Sequence, residues 1–402
     1  MTDPLFDVDA IRACFPALDD GAAFFDGPGG SQTPTAVADA IRSAMLRPLS
    51  NRGDVTAAAR NAEQIVAGCR RALADLLNAD PDEVIFGRSM TALTFELSRT
   101  LSAQWRRGDE IVVTRLDHDA NVRPWVIAAA AAGAVVRWVD FDPQTAELSV
   151  AEVEAQLTDR TRVVAVTAAS NLLGTMPDVQ AIAARVHDVG ALLYVDGVHY
   201  AAHGVVDFRA LGADFIACSP YKFLGPHCGV VAGRRDVLAD LRPAKLLPST
   251  DQVPERFELG TLPYELMAGT TAAIDFLAGM TTAEGTRRDR IVAGMRALER
   301  HEDALRTRIE SGLHQLPGVH VHSRAARRTP TLLLTFAERA AAAVSTALAS
   351  SGVNAPAGSF YAYEASRRLG LGASGGLRVG LAPYNCSDDV DRLLEGLATA
   401  LR

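Results

Sequence analysis

Two residues in this sequence have the types and spacing to do chemistry together. Lys222 sits in the run Ser219-Pro220-Tyr221-Lys222-Phe223-Leu224-Gly225-Pro226, directly after the apolar stretch Asp214-Phe215-Ile216-Ala217-Cys218. Upstream, Asp196 ends another apolar run, Ala191-Leu192-Leu193-Tyr194-Val195-Asp196. A carboxylate at one strand end and a lysine after the next strand are what pyridoxal phosphate chemistry requires. The amine forms the Schiff base, and the carboxylate keeps the pyridinium nitrogen protonated so that the ring acts as an electron sink. Either residue alone would read as a strand-end aspartate or a surface lysine; the pair points to the cofactor.

The elements that position them alternate from about Glu83 to Ala232. Strand patterns fall at Val84 to Phe86, Glu110 to Thr114, Val135 to Val139, Arg162 to Thr167, Leu192 to Val195, Phe215 to Cys218 and Gly229 to Ala232, with helical stretches such as Asn121 to Ala132 and Val179 to Val189 between them. Short continuous apolar runs separated by helices predict a mostly parallel sheet of seven strands covered on both faces. Ligands of such sheets sit at the carboxyl ends of the strands. A long helical pattern from Arg287 to Leu316 leads to strands at Thr331 to Phe336 and Gly376 to Leu381 and helices at Glu338 to Ser350 and Ser387 to Leu401. The fold class is therefore α/β, a large domain with a smaller α+β C-terminal domain. We divide the chain into an N-terminal segment 1–24 packing with the small domain, a cofactor domain 25–265, and a small domain 266–402 that includes the interdomain helix.

Length and composition agree. A chain of 402 residues suits two domains rather than one core. With 48% hydrophobic and 22% charged residues it is globular in composition. The net charge of −8 and the lack of a basic run argue against nucleic-acid binding. No apolar run reaches the ~20 residues of a membrane helix. Met1-Thr2-Asp3-Pro4 has neither the positive segment nor the apolar core of a signal peptide, so a cytoplasmic location is expected. The five cysteines, Cys14, Cys69, Cys218, Cys228 and Cys386, fit no zinc spacing and no full disulfide framework, so no metal is expected.

Several other segments could hold such a cofactor and an amino acid. Gly87-Arg88-Ser89-Met90-Thr91 follows a strand and opens a helix, as a phosphate dianion requires. Ser170-Asn171-Leu172-Leu173-Gly174-Thr175 ends another strand, Asp196-Gly197-Val198-His199 follows Asp196, and Arg256-Phe257-Glu258-Leu259-Gly260-Thr261 and Leu377-Arg378-Val379-Gly380 lie beyond Lys222. From Phe24-Phe25-Asp26 to the final helix, these motifs resemble in kind and order the class V aminotransferase family of fold type I, and within it the cysteine desulfurase-like proteins. The resemblance implies that Ser89, Met90, Thr91, Ser219 and Tyr221 surround the phosphate, Met90 by its backbone alone. It implies that Asn171 donates to the phenolic oxygen of pyridoxal 5'-phosphate, with His199 near that oxygen where the family has glutamine. His203 also matches a family histidine, or is a helix histidine satisfied by its own neighbours. Arg378 would grip the α-carboxylate of an amino-acid substrate, as a planar guanidinium can. Thr261 would reach the partner's phosphate, which implies a homodimer with shared active sites. Asn171 could instead cap a turn, and Arg378 could face solvent.

Two departures shape the functional reading. Leu116-Asp117-His118-Asp119-Ala120-Asn121 aligns with the family's Glu-His-His-Ala-Asn, which puts Asp119 at the ring-stacking position and has His118 pointing elsewhere. Asp119 would be a base, a hydrogen-bond acceptor, or a filler of space. The loop Asn354 to Tyr363 carries Tyr361 where a desulfurase has its nucleophilic cysteine, and no cysteine occurs between Cys228 and Cys386. Tyr361 would wall the substrate pocket or fold against the small domain. Gly29, in Gly27-Pro28-Gly29-Gly30-Ser31, would line the pocket by its backbone. With Lys222, Asp196, Asp119 and Arg378 as the catalytic set, the expected activity is β-elimination on an amino acid or cysteine conjugate, of the C–S lyase type. Transamination or epimerisation uses the same residues and stays open; true cysteine desulfurase or selenocysteine lyase activity is disfavoured, as is a non-catalytic cofactor-binding dimer.

Overall fold

Strand residues in the middle of this chain alternate between two cores. Along Thr161–Thr167, Val164 and Val166 join one buried cluster while Val163 and Ala165 join the other. In Glu110–Thr114, Val112 faces the first cluster and Ile111 and Val113 the second. A strand apolar on both faces must be covered on both, and helices do so here. The computed structural model describes residues 6–402; the opening Met1 to Pro4, read above for a signal peptide, lies outside the described residues. Among those described, no helix is long and apolar enough to cross a membrane.

The large sheet has seven strands in the order Val84–Gly87, Gly229–Gly233, Phe215–Cys218, Leu192–Asp196, Thr161–Thr167, Glu110–Thr114 and Val135–Val139. Six run parallel; Gly229–Gly233 is antiparallel to both its neighbours. The expected mostly parallel α/β sheet is what forms, with strand ends within a residue or so of those read from the sequence. Helices are shorter than their patterns. The one read from Asn121 begins at Arg123, because Asp119–Asn121 forms a 3-10 turn and Pro124 takes the start of the helix proper. Two long helices, Ala57–Leu77 and Tyr264–Ala278, had no counterpart in the sequence reading.

The smaller domain carries an antiparallel sheet of four strands, ordered Ala357–Gly358, Gly376–Gly380, Thr331–Phe336 and Val319–Val321. The helix Arg287–Leu313 joins the two cores. A capping box of Thr286 and Asp289 starts it. Its Ile291, Met295 and Leu298 belong to the large-domain core, and its Leu305, Ile309 and Leu313 to the small-domain core. Ala23–Phe24 pairs parallel with Val353–Asn354 in a separate two-stranded sheet, which ties the N-terminal segment to the smaller domain.

Candidate active site

The carboxyl ends of the parallel strands open onto a cavity of about 650 Å³, walled by residues of both domains. Asp196 is the last residue of its strand, and its register partner on the next strand is Ala217. From there the chain runs through Cys218 into the 3-10 turn Pro220–Lys222. Adjacent parallel strands thus bring both side chains to one edge. Lys222 Nζ donates to the Pro28 carbonyl at 2.5 Å. Burial, with Arg378 adding to it and Asp196 opposing, lowers the Lys222 pKa to about 7. Burial raises Asp196 to about 6 against the Val198 N–H, which donates to Oδ1 at 2.9 Å, and against Lys222. Near neutrality Asp196 is ionised and a fraction of Lys222 is free amine.

At one end of the cavity the helix Met90–Ser102 begins. Ser89 caps it, its Oγ accepting from Ala92 N at 3.1 Å. The first N–H groups of a helix have no acceptor within it, and its dipole is positive there. Ser89, Met90, Thr91, Ser219 and Tyr221 all border the cavity, and the Met90 side chain is buried in the core, leaving its backbone to the site. The turn is pressed close by the sheet: a Cβ on Gly229 would lie 2.1 Å from Met90 N.

At the other end stand Asn171, Arg378 and the loop containing Phe360 and Tyr361. Arg378 is buried, and Nη1 donates to the Asn171 backbone carbonyl at 3.0 Å. The Phe360 ring covers the guanidinium, 3.7 Å from Cζ to ring centroid. Among the described residues no carboxylate bonds to Arg378, and its Nε is without a partner. Burial lowers its pKa to about 9, with Asp26 as the opposing charge. Asn171 Nδ2 donates to Phe360 O at 2.9 Å and its Oδ1 is unpartnered, so at most one amide hydrogen is left for a cofactor oxygen. Phe360 and Tyr361 are both left-handed, at φ +53° and +58°. Each such non-glycine residue costs roughly 1–2 kcal/mol. Contacts from the large domain hold the pair: Asn171 on one carbonyl, and the Asp119 N–H on Tyr361 O at 2.8 Å.

The ring-stacking expectation at residues 118–119 needs correction. His118 does not point away. It lines the cavity, accepts at Nδ1 from Ala120 N at 3.0 Å and lies 5.5 Å from the Tyr361 ring. Burial and the charge of Lys222 depress its pKa to about 4, so the imidazole facing the site is neutral. Asp119 also borders the cavity, but its carboxylate is taken by Arg123 at 2.8 Å, one helical turn on. The cause is local: the extended backbone of His118 before the 3-10 turn sends its ring inward and the next side chain toward Arg123.

His199 borders the cavity, with Nε2 at 2.9 and 3.0 Å from the Thr329 and Thr331 hydroxyls. His203 pairs with the buried Glu302 at 2.9 Å, which ties it to the interdomain helix. Gly29 and Tyr361 also border the cavity; Tyr361, 76% exposed, stands at its mouth and is not folded into the small domain. Thr261 does not join them; it is exposed outside the cavity, after a turn at Gly260. Sequence reasoning passed over Asp117, buried beside Asp196 and raised to about 8 by that burial, whose Oδ1 accepts from Asn121 Nδ2 at 2.7 Å. It also passed over Phe360. A plain signal for Lys222 was overlooked too: the sequence holds only two lysines, and the other, Lys245, pairs with Asp251 on a surface loop.

An amine facing a buried carboxylate, a helix start ringed by hydroxyls, and orphaned polar atoms on Asn171 and Arg378 fit a phosphorylated pyridine aldehyde and an amino acid. The comparisons agree. The chain is 32% identical to the aminotransferase-like protein FGM3 of Gibberella zeae over the whole of both chains. It is 29% identical to the cysteine desulfurase of Dickeya dadantii, over 98% of this chain and 96% of that one. The crystal structure of the cysteine desulfurase CsdA from Escherichia coli superposes with a TM-score of 0.87 at 28% identity, covering 99% of each chain. Residues 23–393 match the model of the class-V aminotransferases, and the chain belongs to that family of pyridoxal-phosphate-dependent enzymes.

Proposed function

We propose that this enzyme cleaves at the β-carbon of an α-amino acid, as in the C–S bond of a cysteine conjugate. The observation that carries the reading is Tyr361: the loop that faces the carboxylate end of the cavity presents a phenol there and no thiol. The cofactor, when bound, supplies the electron sink that makes the substrate's α-proton acidic. Asp196 holds the proton on the ring nitrogen. Arg378 holds the α-carboxylate and so fixes which bond at the α-carbon faces Lys222. Lys222 Nζ, partly free amine near its pKa of about 7, takes the α-proton and returns a proton to the departing sulfur. His118, neutral, and Phe360 and Tyr361 limit water at that end.

The test scores products separately. With S-substituted cysteines, thiol, pyruvate and ammonia are expected in equal amounts, and mass spectrometry after cysteine treatment should find no added sulfur on any cysteine. A keto acid that keeps the side chain would mark an aminotransferase, and an inverted amino acid an epimerase. Alanine together with a protein-bound sulfur atom would mark a desulfurase. Any of these outcomes replaces the β-elimination reading.

The same reading includes a homodimer with shared sites. It is supported by Thr261 standing exposed outside its own cavity, and by the exposed Leu246, Leu247 and Leu259 on the segment around it. Thr261→Ala should weaken cofactor binding about tenfold, the loss of ~1.5 kcal/mol in a charge-assisted hydrogen bond. Equilibrium dialysis measures this, and a monomer in sedimentation that retains its cofactor fully would sink the shared-site arrangement.

A further inference from the structure

A buried arginine is ordinarily held by a carboxylate, which fixes it but also consumes its donors and cancels its charge. Arg378 is held differently. The Phe360 ring lies over the guanidinium, its centroid 3.7 Å from Cζ. A ring attracts the cation through its face and leaves the in-plane N–H groups free. Of these, Nη1 is used by the Asn171 carbonyl, while Nε has no partner. Gly29, whose Cβ would stand 3.4 Å from Nη2, leaves that edge approachable. The ring is placed there by the left-handed pair Phe360–Tyr361, whose carbonyls are anchored on Asn171 and Asp119. Strain that the surroundings hold in place at a ligand site is a pointer to function.

We propose that Phe360 is a positioning residue for substrate recognition: its ring holds Arg378 in one plane, charged and with free donors, for the α-carboxylate. This rests on the reading of Arg378 as the carboxylate grip. Consequently, selection between an amino acid and a simple amine depends on an aromatic residue that makes no polar contact with the substrate.

Two probes that differ by a carboxylate test the idea on the cofactor-loaded enzyme: aminooxyacetate and O-methylhydroxylamine, each followed by the rate at which it bleaches the cofactor's visible band. Phe360→Leu keeps apolar bulk without a ring. It should slow aminooxyacetate about tenfold, the scale of a desolvated ring–cation contact, and leave O-methylhydroxylamine within about twofold. Phe360→Tyr should retain wild-type selectivity. Arg378→Lys is the control for the underlying reading and should lose the same selectivity. Equal slowing of both probes in Phe360→Leu would mean a merely structural role and overturn the inference. Selective loss in Arg378→Lys but none in Phe360→Leu would overturn it while keeping Arg378 as the grip. No selective loss in Arg378→Lys would overturn both.

Discussion

Lys222→Ala is expected to abolish turnover and to leave borohydride with no site in the cavity at which to fix the cofactor. The chain's other lysine, Lys245, is engaged with Asp251 and Ser249 on a distant loop, so it offers no substitute. Peptide mapping after reduction should find the cofactor on the segment holding residue 222 in the wild type and nowhere in the variant. A reduced adduct in the variant at a stoichiometry near that of the wild type would refute the assignment. The wild type should also show a definite pH dependence. Burial lowers the Lys222 pKa to about 7, so it is ammonium below that value and free amine above it. Cofactor capture by the apoenzyme should therefore speed up as pH rises through about 7 and level off beyond it. Stopped-flow absorbance follows this directly.

Asp196→Asn should leave the fold intact and slow α-proton removal by several orders of magnitude. The amide oxygen can still accept from Val198 N, so the local backbone has no reason to move. What is lost is the charge. A neutral amide cannot keep a pyridine nitrogen protonated, and an uncharged ring is a poor electron sink. Exchange of the substrate α-hydrogen for deuterium, followed by NMR, isolates that step from any later one. Exchange at the wild-type rate would show that Asp196 does not face the ring nitrogen.

Legibility in the sequence followed periodicity. The strands of the large sheet are short runs of Val, Ile, Leu and Ala, and such runs are read almost to the residue. The helices Ala57–Leu77 and Tyr264–Ala278 were passed over because they pack on one another outside the strand alternation that organised the reading, which begins after the first and ends before the second. Asp196 and Lys222 were legible because one ends a strand and the other follows the next strand by a single turn, and Arg378, inside a small-domain strand, was legible through the resemblance. His118 and Asp119 were not. Which of two adjacent side chains enters a site depends on one residue's φ and ψ before a 3-10 turn, and composition does not encode that. Phe360 was invisible for a related reason: its place over Arg378 depends on two left-handed residues, and nothing in Ser359-Phe360-Tyr361 favours that backbone over an extended one. Glycines near the loop hint at a turn without saying which ring it will deliver.

The antiparallel strand Gly229–Gly233 has a consequence of its own. At Gly229 it meets the start of the helix Met90–Ser102 so closely that not even a methyl group fits between them. The first turn is therefore braced by main chain against main chain, with no side chain as an intermediary. Side chains relax through rotamers; two abutting backbones do not. The directions of the amides at that helix start are therefore set by the strand behind them. The dipoles of that turn are thus held in line by main-chain contact, without help from a rotamer.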